Sequence, residues 1–151
     1  MIRKYFKHPA ITTDVIVGFP GETEEEFEIT REYLEKIHFY EMHIFKYSKR
    51  QGTRAAVMPD QIPEPVKSER SNILIGLGEK MSEEFRQYYI GKTEEVLLEE
   101  QIEIDGKKYF SGFTKEYVKV AVAEGGHHSN QMIKGKIKEQ LTEELYLMVE
   151  I

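Results

Sequence analysis

The glycines that follow one short apolar run have the types and spacing of a ligand-binding loop. Residues 11–17 form a β-branched run that is followed at once by the sequence Gly-Phe-Pro-Gly. Glycines let the backbone approach a ligand closely, and ligands of open α/β folds bind where strands end. Ile16, Gly18 and Gly21 could therefore form the wall and floor of a pocket. The alternative is an ordinary turn between a strand and a helix.

Three polar side chains could complete such a pocket. Asp14 lies within the apolar run, and a buried carboxylate needs a partner, so it could hydrogen-bond a cofactor or substrate. A structural salt bridge or a cap at the strand end is the alternative. Tyr47 and Arg50 lie at the end of a second apolar run and could stack on or pair with a nucleotide. Lys49 and Arg54 beside them could equally be solvated loop charges.

A third group alternates lysines with aromatic rings between Gly106 and Lys119, where Glu116 is the single acid. Lysine pairs with phosphate, and rings stack on unstacked bases for about 1–3 kcal/mol per base, so this stretch suits single-stranded RNA. The residues that we expect to bind RNA are Lys107, Lys108, Tyr109, Phe110, Lys115, Tyr117 and Lys119. The alternative is a solvated hairpin in which Tyr109 and Phe113 face a core.

The amino-acid composition excludes several kinds of chemical site. The 151 residues include no cysteine, which excludes disulfides, thiolate zinc sites, cysteine nucleophiles and the usual ligation of an iron–sulfur cluster by this chain. His127 and His128 are adjacent in a polar loop without a third ligand, so we predict no metal site. The net charge is −6, and residues 92–151 hold twelve acids against eight lysines and no arginine. Any RNA binding must therefore use a local patch.

No stretch approaches the roughly 18 apolar residues needed to span a bilayer, and the N-terminal residues lack the apolar core of a secretion signal. We therefore expect a cytoplasmic protein.

The first part of the chain alternates strands and helices. Residues 11–17 and 42–48 predict strands, and Thr23 with Glu26 forms a capping box that begins a helix over residues 23–36. Apolar residues at helical spacing follow Pro65 as far as Gly91. This order is typical of parallel strands covered by helices. Two strands cannot complete such a sheet, so we expect an exposed edge and self-association through it.

The pattern changes after Gly91, where we place the boundary between domain 1–91 and domain 92–151. Asp105-Gly106 is a strong hairpin signal, and short strands are predicted at residues 96–104, 107–110, 117–123, 132–141 and 144–151. In the last strand we expect one face to carry Leu145, Leu147, Val149 and Ile151. Five short strands fit a small OB-like barrel. The predicted fold is thus α/β followed by a small all-β, five-stranded barrel.

Three blocks in this order resemble one enzyme family. Residues 13–23, Thr-Asp-Val-Ile-Val-Gly-Phe-Pro-Gly-Glu-Thr, resemble the fifth strand and following loop of radical S-adenosylmethionine enzymes. Residues 45–56, Phe-Lys-Tyr-Ser-Lys-Arg-Gln-Gly-Thr-Arg-Ala-Ala, are similar to the sixth-strand motif of the tRNA methylthiotransferases. Residues 58–63 are more similar to the branch that acts on threonylcarbamoyladenosine, and residues 91–151 are similar to the TRAM domain that ends these enzymes.

The resemblance implies part of a radical S-adenosylmethionine barrel followed by a TRAM domain that holds tRNA. Such enzymes use S-adenosylmethionine and 4Fe-4S clusters to add a methylthio group to a modified adenosine beside the anticodon. The resemblance implies that the cofactor pocket includes Asp14, Ile16, Gly18, Gly21, Tyr47 and Arg50. The family's Cys-x-x-x-Cys-x-x-Cys loop does not occur, so we expect a C-terminal fragment that ligates no cluster and is inactive alone. The alternative function is a stand-alone RNA-binding or scaffold module without catalysis.

Overall fold

Strands β1 (Thr12–Val17) and β2 (Glu41–Lys46) pair in parallel in the computed structural model, which describes residues 1–151. Helix α1 (Glu24–Ile37) connects them, and helix α2 (Glu64–Gln87) follows β2. Single 3₁₀ turns lie at Ile2–Lys4 and Ala55–Val57. The predicted order of strand, helix, strand and helix is therefore confirmed. No helix of the chain combines the length and the apolar character that crossing a bilayer requires.

Local sequence explains where α1 begins. Thr23 is its N-cap, and its hydroxyl accepts a hydrogen bond from the backbone N–H of Glu26 at 3.1 Å. The Glu26 carboxylate in turn accepts from the backbone N–H of Thr23 at 2.9 Å. These reciprocal bonds form the predicted capping box and satisfy two amides that the helix leaves unpaired.

The two helices cover one face of the β1–β2 sheet. Val15 and Val17 of β1 pack with Phe27 and Leu34 of α1 and with Leu74 of α2 in one buried cluster. Neither strand pairs with a third strand, so the outer edge of each is unpaired within this chain. The expected exposed edge is therefore present.

The remaining strands form a closed barrel, as predicted. They are β3 (Thr93–Ile104), β4 (Lys107–Thr114), β5 (Lys119–Ala123), β6 (Gln131–Gln140) and β7 (Leu145–Glu150). The order around the barrel is β3-β4-β5-β7-β6, with β5 and β7 parallel and the other pairs antiparallel. Asp105 and Gly106 form the predicted β3–β4 hairpin turn, both with positive φ, of 50° and 75°.

The interior face of β7 is the one opposite Leu147 and Val149. Tyr146 and Met148 of β7 are fully buried, whereas Val149 and Ile151 are 47% and 73% exposed. Both faces of the strand carry large apolar residues, so the alternation of the sequence could not show which face is inward. The pairing of β7 with β6 decides it, because Met148 lies opposite the buried Ile137.

By packing, the chain divides into two units: Ala10–Ser82, and Met1–Pro9 with Glu83–Ile151. The second unit includes the end of α2 and the N-terminal residues as well as the barrel. The functional boundary at Gly91 stays a prediction.

Candidate cofactor face and nucleic-acid interface

The face of the β1–β2 sheet opposite the helices is open, and it carries two of the predicted cofactor residues. Asp14 and Ile16 alternate with the buried Val15 and Val17, and Ile16 is 57% exposed. Their partners across the sheet are His43 and Phe45, and Phe45 is 53% exposed. We call these four residues, Asp14, Ile16, His43 and Phe45, the open face. His43 and Phe45 are not among the predicted pocket residues, although the period of two in β2 could have placed them there.

The loop after β1 is held by contacts from within the chain. Gly18 and Gly21 have positive φ values of 70° and 86°. The Gly18 N–H donates to the Glu22 carboxylate at 2.7 Å, and a Cβ at Gly18 would meet Lys67 Cγ at 2.2 Å. The glycine is therefore needed for the approach of the Lys67 stem. The space around Gly21 is open, and a cofactor role for both glycines stays a prediction.

Arg70 of α2 holds this loop, and no local sequence signal predicts this contact. Its Nη1 donates to the Glu22 carboxylate at 2.6 Å and to the Glu22 backbone oxygen at 3.0 Å, and its Nη2 donates to Glu24 at 3.1 Å. Burial acts to lower the pKa of Arg70, but the hydrogen bonds that it donates to Glu24 and Glu22 outweigh this effect, so the pKa stands above its ordinary value. The guanidinium is thus charged and orients the loop.

Tyr47 lies beside the same loop, whereas Arg50 does not join it. The Tyr47 N–H donates to the Val17 carbonyl at 2.8 Å, and its ring meets that of Phe19 edge-on at 5.4 Å between centroids. The Tyr47 hydroxyl oxygen is buried and has no hydrogen-bond partner. Arg50 is exposed in the following turn and makes no ion pair.

The predicted RNA residues lie at two ends of β4 rather than in one patch. Lys107 and Lys108 are exposed at its start, and Lys115 is exposed just beyond its end. Phe113 lies six positions after Lys107, which corresponds to about 20 Å of strand. Tyr109 and Phe110 are half-buried between the two ends.

The far end of β4 carries an aromatic and basic cluster. Tyr117 lies in the turn before β5 with φ of 62°, not in the strand as predicted, and is 70% exposed. The Phe113 and Tyr117 ring centroids are 6.4 Å apart, and Lys119 Nζ lies 5.7 Å from the Phe113 centroid. Lys119 also approaches Glu100 at 3.9 Å, and Lys115 approaches Glu116 at 3.6 Å. Phe113, half-buried, lies opposite the partly exposed Leu97 on the outside of the barrel.

No group of three or more histidine, cysteine, aspartate or glutamate side chains is arranged to hold a metal ion. The α/β layer with an open, partly apolar sheet face and the five-stranded barrel define a two-part protein. Its first part exposes apolar and polar side chains on the free sheet face, and its second exposes cationic and aromatic side chains.

Comparisons with known proteins identify the family. No family model matches the chain. The threonylcarbamoyladenosine tRNA methylthiotransferase of Bacillus subtilis is 41% identical over 137 residues, which is 90% of this chain and 30% of that protein. The tRNA-2-methylthio-N(6)-dimethylallyladenosine synthase of Corynebacterium urealyticum is 50% identical over 99 residues, 66% of this chain and 18% of that protein. The enzyme of that name from Acetivibrio thermocellus is 48% identical over 106 residues, 70% of this chain and 22% of that protein.

The chain belongs to the tRNA methylthiotransferase family, as its sequence motifs predicted, and it spans between about a fifth and a third of the length of these relatives. Both branches of the family are among the matches. The longest of the three matches is to the threonylcarbamoyladenosine enzyme.

Proposed function

We propose that this chain serves as part of an enzyme that adds a methylthio group to a modified adenosine beside the anticodon of tRNA. The observation that carries the proposal is the 41% identity to the Bacillus subtilis threonylcarbamoyladenosine enzyme, because that match extends through both the α/β unit and the barrel. It also favours threonylcarbamoyladenosine as the modified base. Such an enzyme would act in the cytoplasm, where tRNA is found.

The residues at the open face fit the nucleoside part of S-adenosylmethionine. Ile16 and Phe45 offer exposed apolar surface, and Asp14 offers hydrogen-bond acceptors. The Tyr47 hydroxyl, buried beside the loop after β1, lacks a hydrogen-bond partner. Gly18, Gly21 and Arg50 lie in the loops that follow the two strands. In this proposal these side chains and loops bind and orient the cofactor.

The same residues do not fit an iron–sulfur cluster, because the chain has no cysteine. Cluster ligands must come from protein outside these 151 residues. When bound, S-adenosylmethionine and the clusters supply the radical and the methyl group, and this chain contributes binding, orientation and exclusion of water.

The barrel holds the tRNA in this proposal. The exposed Lys107, Lys108 and Lys115 and the half-buried Lys119 would neutralise phosphates, and the exposed Tyr117 ring with Tyr109 and Phe110 would contact bases. The direct test is retention of tRNA by the chain at low salt, compared with a variant in which the four lysines are changed to glutamate. We expect the wild type to bind and the variant to bind weakly. Absence of binding by the wild type would contradict the assignment of the barrel to RNA.

Activity is tested by exchange into a relative. The segment of the Bacillus subtilis enzyme that matches this chain is replaced by this chain, and the methylthiolated nucleoside is measured by mass spectrometry of hydrolysed tRNA. We expect modification to persist, and to fall when Asp14→Ala is introduced, with Glu41→Ala on the same sheet as the control. A folded chimera that binds tRNA but makes no product would favour an RNA-binding module without catalysis.

A further inference from the structure

Strand β6 carries a row of lysines that the cluster around β4 does not include. Lys134, Lys136 and Lys138 are exposed, and the residues between them, Gly135 and Ile137, are buried. We call these three residues the lysine row. Alternate residues of a strand lie on one face at about 7 Å intervals, which is close to the repeat of an extended nucleotide backbone.

The lysine row is not neutralised within the protein. None of its three ammonium groups makes an ion pair, whereas Lys115 and Lys119 of the predicted site each have an acidic neighbour. Lys136 lies between Thr93 of β3 and Val149 of β7. The one acid directly opposite a member of the row is Glu95, across from Lys134. The row is thus a local cationic stripe on a barrel of negative net charge.

An apolar row crosses the barrel from the end of the lysine row. Met132 of β6 lies opposite Leu97 of β3, and Leu97 lies opposite Phe113 of β4. Met132 is 60% exposed and Leu97 is 37% exposed. Since residues directly opposite in a sheet share a face, these three side chains form one outer row about 10 Å wide. We call Met132, Leu97 and Phe113 the apolar row.

The two rows meet at Met132, and the Phe113 end continues into the ring of Tyr117 and the ammonium group of Lys119. A line of cations at nucleotide spacing that leads into an exposed apolar and aromatic strip matches a ligand with regular phosphates and accessible base faces. A double helix would present its phosphates but would hide its bases. A single-stranded nucleic acid presents both.

We propose that the outer surface of β6, β3 and β4 is the track for a single-stranded segment of RNA. Phosphates of one part of the segment follow Lys134, Lys136 and Lys138 along β6, and the bases of the nucleotides beyond Met132 lie on Met132, Leu97 and Phe113 across the strands. This inference rests on the proposed RNA-binding function of the barrel. It assigns the main contacts to residues outside the lysine set predicted from sequence.

The lysine row is tested by binding of a fluorescent single-stranded RNA oligomer at several salt concentrations. The variant carries Lys134→Gln, Lys136→Gln and Lys138→Gln, and the matched control carries Lys107→Gln, Lys108→Gln and Lys115→Gln. Each phosphate contact contributes about −0.7 to the slope of log affinity against log salt for single strands. We expect the slope of the β6 variant to become shallower by about 2, and that of the control to change less.

The outcomes separate the two proposals. Loss of affinity in the control with none in the β6 variant would overturn the track and leave RNA binding by the barrel standing. Failure of the wild type to bind any RNA at low salt would overturn both. The track would also be overturned if Phe113→Leu lost as much affinity for heparin, a polyanion without bases, as for single-stranded RNA.

The apolar row is tested with Phe113→Leu, which keeps an apolar side chain but removes the ring. We expect affinity for single-stranded RNA to fall at least roughly fivefold, the lower end of ring-to-base stacking, and affinity for an RNA duplex or heparin to stay unchanged. Unchanged single-strand affinity in a variant with wild-type thermal unfolding would overturn this part.

Glu95→Gln provides a gain of function. It removes the acid opposite Lys134, so single-strand affinity should rise about two- to fivefold at low salt. The control is Glu103→Gln, which lies in the far half of β3, opposite Lys108. A larger rise in the control than at Glu95 would contradict the track.

Discussion

The guanidinium of Arg70 joins the N-terminal third of α2 to the loop after β1 through Glu22. The two side chains lie 2.6 Å apart, and the Arg70 side chain is only 6% exposed. Because a buried cation must be paired, this contact links the orientation of the glycine-containing loop to the position of the helix. The loop beside the open face is therefore held by a residue 48 positions away in the chain.

Replacing Arg70 should destabilise the α/β unit. Arg70→Met leaves the Glu22 carboxylate, 15% exposed, without its charged partner, and we expect a loss of roughly 3 kcal/mol in the free energy of unfolding. Arg31→Met is the matched control, because Arg31 pairs with Glu28 at the surface, where solvent screens the pair, and this variant should lose much less stability. Urea unfolding of both variants measures the difference. Equal losses would show that the buried Arg70–Glu22 pair contributes no more to the free energy of unfolding than the surface pair.

The carboxyl group of Glu64 should titrate unusually low. Hydrogen bonds from Lys46 and then Lys67 lower its pKa from 4.5 to about 2. A carboxyl with a lowered folded pKa stabilises the protein above its unfolded pKa, and this stability is lost as the pH falls from about 4.5 towards 2. Carboxyl NMR titration measures the pKa directly. The unfolding free energies of wild type and Glu64→Gln should converge across that range, and a pKa near the ordinary value would contradict the contact.

Two glycine substitutions should have opposite effects. A Cβ at Gly112 of β4 would lie 2.0 Å from the backbone oxygen of Leu97, so Gly112→Ala must displace a neighbouring strand and should cost at least about 1–3 kcal/mol. Gly76 lies inside α2 with no atom near its would-be Cβ, so Gly76→Ala should stabilise by up to about 1 kcal/mol. Thermal unfolding distinguishes them. A stable Gly112→Ala barrel would contradict the close strand contact.

The 151-residue chain by itself should self-associate. The outer edges of β1 and β2 are unpaired within the chain, and the open face beside them exposes Ile16 and Phe45. Sedimentation at increasing concentration should show dimers or larger species, and Ile16→Lys should reduce them. A clean monomer at high concentration would remove this expectation.

The sequence alone determined the elements whose causes are local. The period of the apolar residues placed the strands and helices, Thr23 and Glu26 placed the start of α1, and Asp105 with Gly106 placed the β3–β4 turn. These signals act over a few residues, so no distant partner was needed to find them. The family motifs are likewise contiguous in the chain.

Only the tertiary structure decided which surfaces face each other. Both faces of strand β7 carry large apolar residues, and its pairing with β6 places Tyr146 and Met148 in the interior. Arg70 meets Glu22 because α2 packs beside the loop, and Met132 continues the line of Leu97 because of strand register. Such contacts join residues far apart in sequence, so they stabilise the protein only after the helices and strands have packed together.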